Sequence, residues 1–502
     1  MTNITLEHFA EPTLQFGHYF EHQDAKTGLA EFGPFGLNIE GLHPSEIKLG
    51  FIGTRETIAG AKEWFEECSR PIESENIQVT GAVTRSGVGG LFGEELETDQ
   101  RISRVNKILN RDFIGLSADS SFHCRFLVNE RWDRALTPRE LERLLQIADK
   151  ERRIWALVEL FDQQVESLAT TSPVPTIIVL ALTSEIVEMA DAVQLSGNFY
   201  LNFRRAIKAR AMRWGIPLQI LQRRTVLGKD PQLQEKSLRA WNFCTAQYYK
   251  AQGVPWRPTT LAQDTCYIGI SFYVARDLNE LLTVRASVAQ AFDYLGQGLV
   301  LRGEPFDWNE QKQGPSPHLT QAAAATLLRE TLDAYTRLRR IPPRRIVIHK
   351  TSEFWGSEHG QYNERDGLYE GIDAVYQHCE IDLVTLRPTG VHLFREGNYP
   401  PLRGTYVALE DEHFLYTMGF IPYLDTYPGS YIPVPWHLAE HHGGTSPKDL
   451  LREVLALTKM NVNNCAFADG TPITLSFAHM IGEIMKHIPE GGKVQPTYQF
   501  YM

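Results

Sequence analysis

The sequence predicts an α/β chain of more than one domain, and three patterns carry that prediction. A buried strand over residues 46–54 (EIKLGFIGT) leads directly into a helix over 55–68, the order of an α/β layer. Residues 175–183 (PTIIVLALT) form a continuous apolar run, as a central strand covered on both faces requires. The second half repeats the alternation: a strand at 265–274 (TCYIGISFYV), a long helix from about 316 to 338, and strands at 344–350 (RRIVIHK) and 381–386.

Bulk composition agrees. The 502 residues are 43% apolar and 22% charged, enough for two or more domains with sizeable cores. A net charge of -11 argues against wholesale coating of nucleic acid, so any such binding must come from a channel. Cys68, Cys124, Cys244, Cys266, Cys379 and Cys465 form no CxxC pair, so neither a zinc site nor a disulfide framework is expected, and a reducing cytoplasm fits. The first residues carry neither a basic nor an apolar leader region, and no run of about 18 apolar residues occurs. A signal peptide and a membrane span are therefore not expected.

Taken in order, residues 1–42 are rich in Gly, Pro and aromatics and read as irregular structure with short strands. Ser86-Gly87-Val88-Gly89-Gly90 is glycine-rich but lacks the Gly-Lys-Ser/Thr of a phosphate loop, and acids at 94–99 follow it, so it reads as a plain loop. Thr137-Pro138-x-Glu140 is a helix start with N-cap, N1 proline and capping-box glutamate. A boundary falls near Ala262.

Within this acidic chain, no Asp or Glu lies between Asp191 and Asp230, while Arg204, Arg205, Lys208, Arg210, Arg213, Arg223, Arg224 and Lys229 all do. A solvated basic helix face is the ordinary outcome of such a run; the arrangement points to an anion site instead. Phe203, Ile207 and Ala211 give an apolar stripe, and Arg204 and Lys208, four apart, stand together beside it. That helix stops near Gly215-Ile216-Pro217, and a short strand at 218–221 places Gln219 at its start. A second helix from about 234 to 251 carries Lys250 in its last turn. Arg204, Lys208, Gln219 and Lys250 could thus converge on one terminal phosphate.

These residues, with Pro217-x-Gln219, Trp241-Asn242 and Tyr248-Tyr249-Lys250-Ala251-x-Gly253-x-Pro255-Trp256, resemble the MID domain of short prokaryotic Argonautes. There the matching positions hold the 5′-phosphate of a guide strand; the first is more often Tyr or His, so Arg204 departs from the pattern. Glu11-Pro12-x-Leu14-x-Phe16-Gly17 and Gly28-Leu29-x-x-Phe32-Gly33-Pro34 are similar to the opening of the same proteins. The last third matches most densely: Arg395-x-Gly397-x-Tyr399-Pro400, Arg403-Gly404-Thr405, Tyr427-Pro428-Gly429-x-Tyr431-x-Pro433, Leu457-Thr458-Lys459-Met460-Asn461 and Pro472-Ile473-Thr474. The resemblance implies a Rossmann-like MID domain over 43–262, an RNase-H-like PIWI domain over 263–502, and a segment 1–42 that packs on the latter.

Slicing by such a domain needs carboxylates that hold two divalent ions. The resemblance places the first at Ser271 (Gly269-Ile270-Ser271) and the second after Ile348-His349-Lys350, at Thr351 or Ser352. Hydroxyls are weak neutral ligands and Lys350 adds a positive charge, so cleavage is expected to be lost. Glu353, Glu358 and Asp366 read as surface acids rather than substitutes. His437, His441 and His442 lie beside Pro433–Trp436 and Gly443-Gly444, which suggests a loop and no zinc site. By resemblance, the carboxylate of Met502 enters the MID pocket and helps hold Mg²⁺ against the guide phosphate. The resemblance further implies a small guide RNA, a single-stranded DNA target, defence against plasmids or phages, and a partner chain with an APAZ domain and a TIR, sirtuin-like or nuclease effector. A divergent guide-directed nuclease and a scaffold that binds no guide are the alternatives.

Overall fold

The computed structural model describes residues 4–74, 111–190, 192–196, 199–222, 234–276, 282–306, 308, 314–376, 379–395, 400–429, 431–488 and 492–502. The glycine-rich stretch 86–90, the acids at 94–99, Arg223, Arg224, Lys229 and positions 396–399 lie outside them.

The chain opens with strands β1 (Ile4–His8), β2 (Leu14–Gln15) and β3 (Glu21–His22) and helix α1 (Ala25–Phe32). That helix departs from the irregular structure expected over 1–42. Asp24 caps it by accepting from the Thr27 amide. Its mid-helix Gly28 lies against the Phe16 ring, which an added Cβ would meet at 2.1 Å, so a residue that weakens helix propensity is there for packing.

The first sheet follows: β4 (Glu46–Gly53), α2 (Arg55–Cys68), β5 (Arg125–Ala135), α3 (Pro138–Leu145), α4 (Lys150–Ala169), β6 (Ile177–Leu182), α5 (Ser184–Met189), the hairpin β7 (Val193–Ser196) and β8 (Phe199–Leu201), α6 (Phe203–Ala211), β9 (Leu218–Gln222) and α7 (Lys236–Lys250). Its order is β5-β4-β6-β9, every pair parallel. All six residues of β6 are buried, as its unbroken apolar run demands. Thr137 and Glu140 form the reciprocal capping box that starts α3.

After β10 (Arg257–Pro258), which pairs with β2, a second sheet is built from β11 (Thr265–Arg276), β12 (Leu282–Phe292), β13 (Gly298–Leu301), β14 (Pro305–Phe306), β15 (Arg345–Lys350), β16 (Glu380–Pro388), β17 (Thr405–Leu409), β18 (Glu412–Leu415) and β19 (Trp436–His442). Helices α8 (Gln321–Arg339), α9 (Glu364–Asp373), α10 (Pro447–Leu457) and α11 (Ile473–Met485) cover it. The order is β1-β17-β18-β19-β16-β15-β11-β12-β13, with β14 on β12. The three central strands β11, β15 and β16 are parallel, and their neighbours antiparallel. Strand β12, absent from the expected strand-helix-strand run, pairs antiparallel with β11 across a register shift between Ser271 and Phe272. The histidines expected in a loop lie on β19 instead. Strand β1 joins this second sheet by pairing with β17. No described helix is long and apolar enough to cross a membrane.

Candidate nucleic-acid interface

Helix α6 starts at Asn202, whose side chain accepts from the amides of Arg204 and Arg205. Phe203, Ala206, Ile207 and Ala211 are buried, which turns Arg204 and Lys208 toward a cavity of about 370 Å³. One tight turn after the helix, Gly215 takes the left-handed conformation (φ 72°) and returns the chain into β9. Gln219 on β9 then faces Lys250, the last residue of α7: the Lys250 ammonium donates to Gln219 Oε1 at 2.7 Å and to the Leu218 carbonyl at 3.0 Å. Gln247, one turn earlier, also donates to Gln219 Oε1. The Lys208 ammonium donates to a main-chain oxygen of Met502. Arg204, Lys208, Gln219, Lys250 and Met502 all line the one cavity.

Its side chains are cationic or neutral, and the anion that faces them is the Met502 carboxylate. No Asp or Glu is among the described residues that line it. Burial, with the Arg204 charge in addition, pushes the Lys208 ammonium down to about 8. Burial, with Lys208 as neighbour, holds Lys250 well below the ordinary lysine value. A desolvated cluster of cations disfavours its own charge, and an anion placed among them restores it.

Arg239, Asn242, Phe243, Ala246 and Gln247 complete the wall. They sit 11, 8, 7, 4 and 3 residues before Lys250 on α7, a single helical face, so the 3.6-residue period running back from Lys250 is the signal that finds them. Asn463 enters from the loop before α11 and donates to the Tyr498 hydroxyl.

The acid-free window is less basic in space than in sequence. Arg205 pairs with Glu483 at 2.5 Å, and Arg210 and Arg213 converge on the buried Asp162, which also accepts from the Trp214 indole. Those three arginines serve packing; Arg204 and Lys208 serve the cavity.

In the second sheet, the pairing of β11 with β15 ends at Gly269 level with His349; Ser271 lies two residues farther along β11, and Thr351 just past the end of β15. Lys350, the residue before Thr351, is 2% exposed and bonds Glu364 of α9 at 2.5 Å; His318 bonds the same carboxylate at 2.8 Å. Of the possible substitutes, Glu353 pairs with Arg387, Glu358 contacts His359 and Asp366 accepts from Asn363. His437, His441 and His442 each meet a separate acid: Glu412, Asp382 and Glu440. On a strand, residues four apart are separated by about 13 Å, too far to share one ion. No group of three or more His, Cys, Asp or Glu among the described residues is placed to hold a metal. In the cavity the side chains offer amides and amines and no carboxylate, so the groups that would hold a divalent ion are the Met502 oxygens and amide oxygens such as that of Asn463.

No family model and no curated protein matches the sequence. Among solved structures, the Argonaute of Clostridium butyricum, bound to a guide DNA with a 5′ deoxycytidine and to a 19-mer target DNA, superposes with a TM-score of 0.60 at 15% identity. The match covers 97% of this chain and 54% of that one, so the chain spans about half the length of that Argonaute. A parallel four-stranded layer followed by a mixed sheet with three parallel central strands is thus an Argonaute-like fold.

Proposed function

We propose that the chain binds the 5′-phosphate of a short guide strand in the cavity between α6, β9 and α7, and pairs that guide to a target strand without cutting it. The convergence of Arg204, Lys208 and Lys250 in a cavity whose described lining holds no Asp or Glu, and whose one terminal carboxylate is that of Met502, carries the reading. A terminal phosphate brings up to two negative charges and three acceptor oxygens, and charge-assisted hydrogen bonds from buried ammoniums to it are among the strong ones. Gln219 positions Lys250 and offers its own amide group. Base pairing then reads the sequence, while the protein holds backbone and helix shape. The guide and target DNA of the Clostridium butyricum protein support strand binding as a class; a guide RNA and a single-stranded DNA target rest on the short-Argonaute resemblance.

The non-cleaving part of the proposal rests on Ser271, Thr351 and Ser352 at the positions of the metal-binding carboxylates, beside the Lys350–Glu364 ion pair. With hydroxyls at those positions and the nearby Glu364 carboxylate held by Lys350 and His318, output falls to a second chain, which the resemblance makes an APAZ-domain effector in cytoplasmic defence against phages and plasmids. By the same resemblance Met502 would help hold Mg²⁺, which would supply charge neutralisation at the guide phosphate.

Purification of the chain and sequencing of the strands that accompany it tests the reading. Short 5′-phosphorylated guides are expected, with no cleavage of a paired target in Mg²⁺. Cleavage would establish the nuclease alternative; recovery of no strand, with no binding of an added 5′-phosphorylated guide, would establish a scaffold. EDTA is expected to weaken guide binding by about tenfold or less, because Lys208 already neutralises the Met502 oxygen.

A further inference from the structure

We propose that the free edge of β1 is a docking site for an extended segment of another polypeptide, apolar at every second residue and carrying Lys or Arg at its end. The inference is independent of guide binding. Strand β1 terminates the ten-stranded sheet; it pairs with β17 over five residues without a bulge and, among the described residues, with no other strand. The opposite end of the same sheet is covered: Leu299 of β13 bridges to Thr497, and the Val300 amide donates to the Pro496 carbonyl at 2.7 Å. Exposed edges are ordinarily blunted by proline, lysine or a bulge, and Ile4-Thr5-Leu6-Glu7-His8 has none of these.

The side chains make the edge selective. Thr5 and Glu7 point to the α10 side, where Glu7 pairs with Lys448. On the other face Ile4 is 63%, Leu6 65% and Leu409 37% exposed, and the register sets Ile4 directly opposite Leu409. Phe414 continues this strip, with the His437 ring stacked on it. Two apolar side chains on one face of an edge strand are what an added strand with matching alternation would cover.

Charge decides the occupant. The turn that follows Leu409 is Glu410-Asp411, just past the Ile4 end of the edge, and Glu412, which meets His437, opens β18 after it. Those acids repel nucleic acid and call for a cation on the incoming strand. A second copy of this chain would bring the same acids and a net charge of -11, and a five-residue strand cannot reach the roughly 1,200 Å² that a stable dimer buries.

The test uses the full chain and a nine-residue peptide, KRVTVTVRK, with a scrambled control, KVVVRTTRK, that keeps composition and loses alternation. At about 1 mM peptide, in the weak range expected for a lone strand, hydrogen exchange of the amides at 4–8 is expected to slow about tenfold with the first peptide only. Leu6→Lys is expected to abolish the protection and Asp411→Lys to weaken binding severalfold at low salt. Leu6 is largely exposed and remote from the cavity, so melting temperature and guide binding of Leu6→Lys should match the parent. No protection, equal protection by the scrambled peptide, or protection that survives Leu6→Lys overturns the proposal. A concentration-dependent dimer lost in Leu6→Lys overturns it in favour of a second copy.

Discussion

Lys208 and Lys250 hold their charges at a cost that the fold alone does not relieve, and this makes them the residues by which guide binding is best tested. Each contributes a charge-assisted hydrogen bond of about 1.5–3 kcal/mol to a bound phosphate. Lys208→Ala with Lys250→Ala is therefore expected to weaken a 5′-phosphorylated guide by about 100-fold or more, and a 5′-hydroxyl guide by only a few-fold, in a direct binding titration. Equal losses for the two guides would remove the phosphate from the cavity. The pH dependence follows from the same groups. A phosphate favours the charged form of Lys208, whose guide-free value is about 8. Affinity should be flat from about pH 6.5, above the second phosphate pKa near 6, up to pH 8. Above pH 8 it should fall by up to about tenfold per unit, as the free site sheds its proton. The stability of the guide-free protein runs the other way. The folded-state value of Lys208 lies below its unfolded one, so the cost of its charge is fully present below pH 8 and is relieved as pH rises toward the ordinary lysine range. An affinity that instead holds constant to pH 10 would show that Lys208 does not meet the phosphate.

At the level of elements, β11 and α11 meet at a residue that has no side chain. A Cβ on Gly269 would stand 1.8 Å from the Thr474 carbonyl oxygen, so strand and helix can meet only because this residue has no side chain. Gly269→Ala should cost about 3 kcal/mol or more, since backbone rather than a flexible side chain must yield. Gly444→Ala, with nothing within 4 Å, should cost almost nothing. Denaturant midpoints of the two variants decide it, and similar midpoints would refute the close packing. The same elements show what sequence makes legible. Strands with unbroken apolar runs, such as β6, and helices with capping signals, such as α3 at Thr137, can be read directly because their determinants are local. Helix α1 escapes because Gly28 serves a contact with Phe16. The histidines of β19 escape because Pro433 and Gly443 frame them like a loop, while the pairing that makes them a strand comes from β16 and β18, far away in the chain. At the cavity, Arg204, Lys208, Gln219 and Lys250 are legible from spacing and resemblance. That Arg205, Arg210 and Arg213 belong to Glu483 and Asp162 is not, because charge counted along a window says nothing about acids that packing brings from elsewhere.

Across the whole molecule, the cavity is where the two sheets meet. Arg204, Lys208, Gln219 and Lys250 come from helices and a strand of the first sheet, while Asn463 and Met502 come from segments that follow the last strand of the second. Contacts near the cavity also cross this line: Gln495 donates to the Met212 carbonyl at 2.7 Å, and Tyr249 to that of Gly296 at 3.1 Å. A ligand that binds only when both parts are in place stabilises both, by about 2.7 kcal/mol at a hundred times its Kd. A 5′-phosphorylated guide at that concentration is therefore expected to raise the unfolding temperature of the entire chain in one cooperative step. The 5′-hydroxyl guide at the same concentration should leave it nearly unchanged. Hydrogen exchange read at β6 and at β15, one central strand from each sheet, separates this from a local effect, since both strands should gain protection together. Protection confined to β6 would mean that the first sheet binds the guide alone and that the Met502 segment only closes the cavity. Gains in both, lost together in Lys208→Ala, would make the guide phosphate the link through which the second sheet senses an occupied first one.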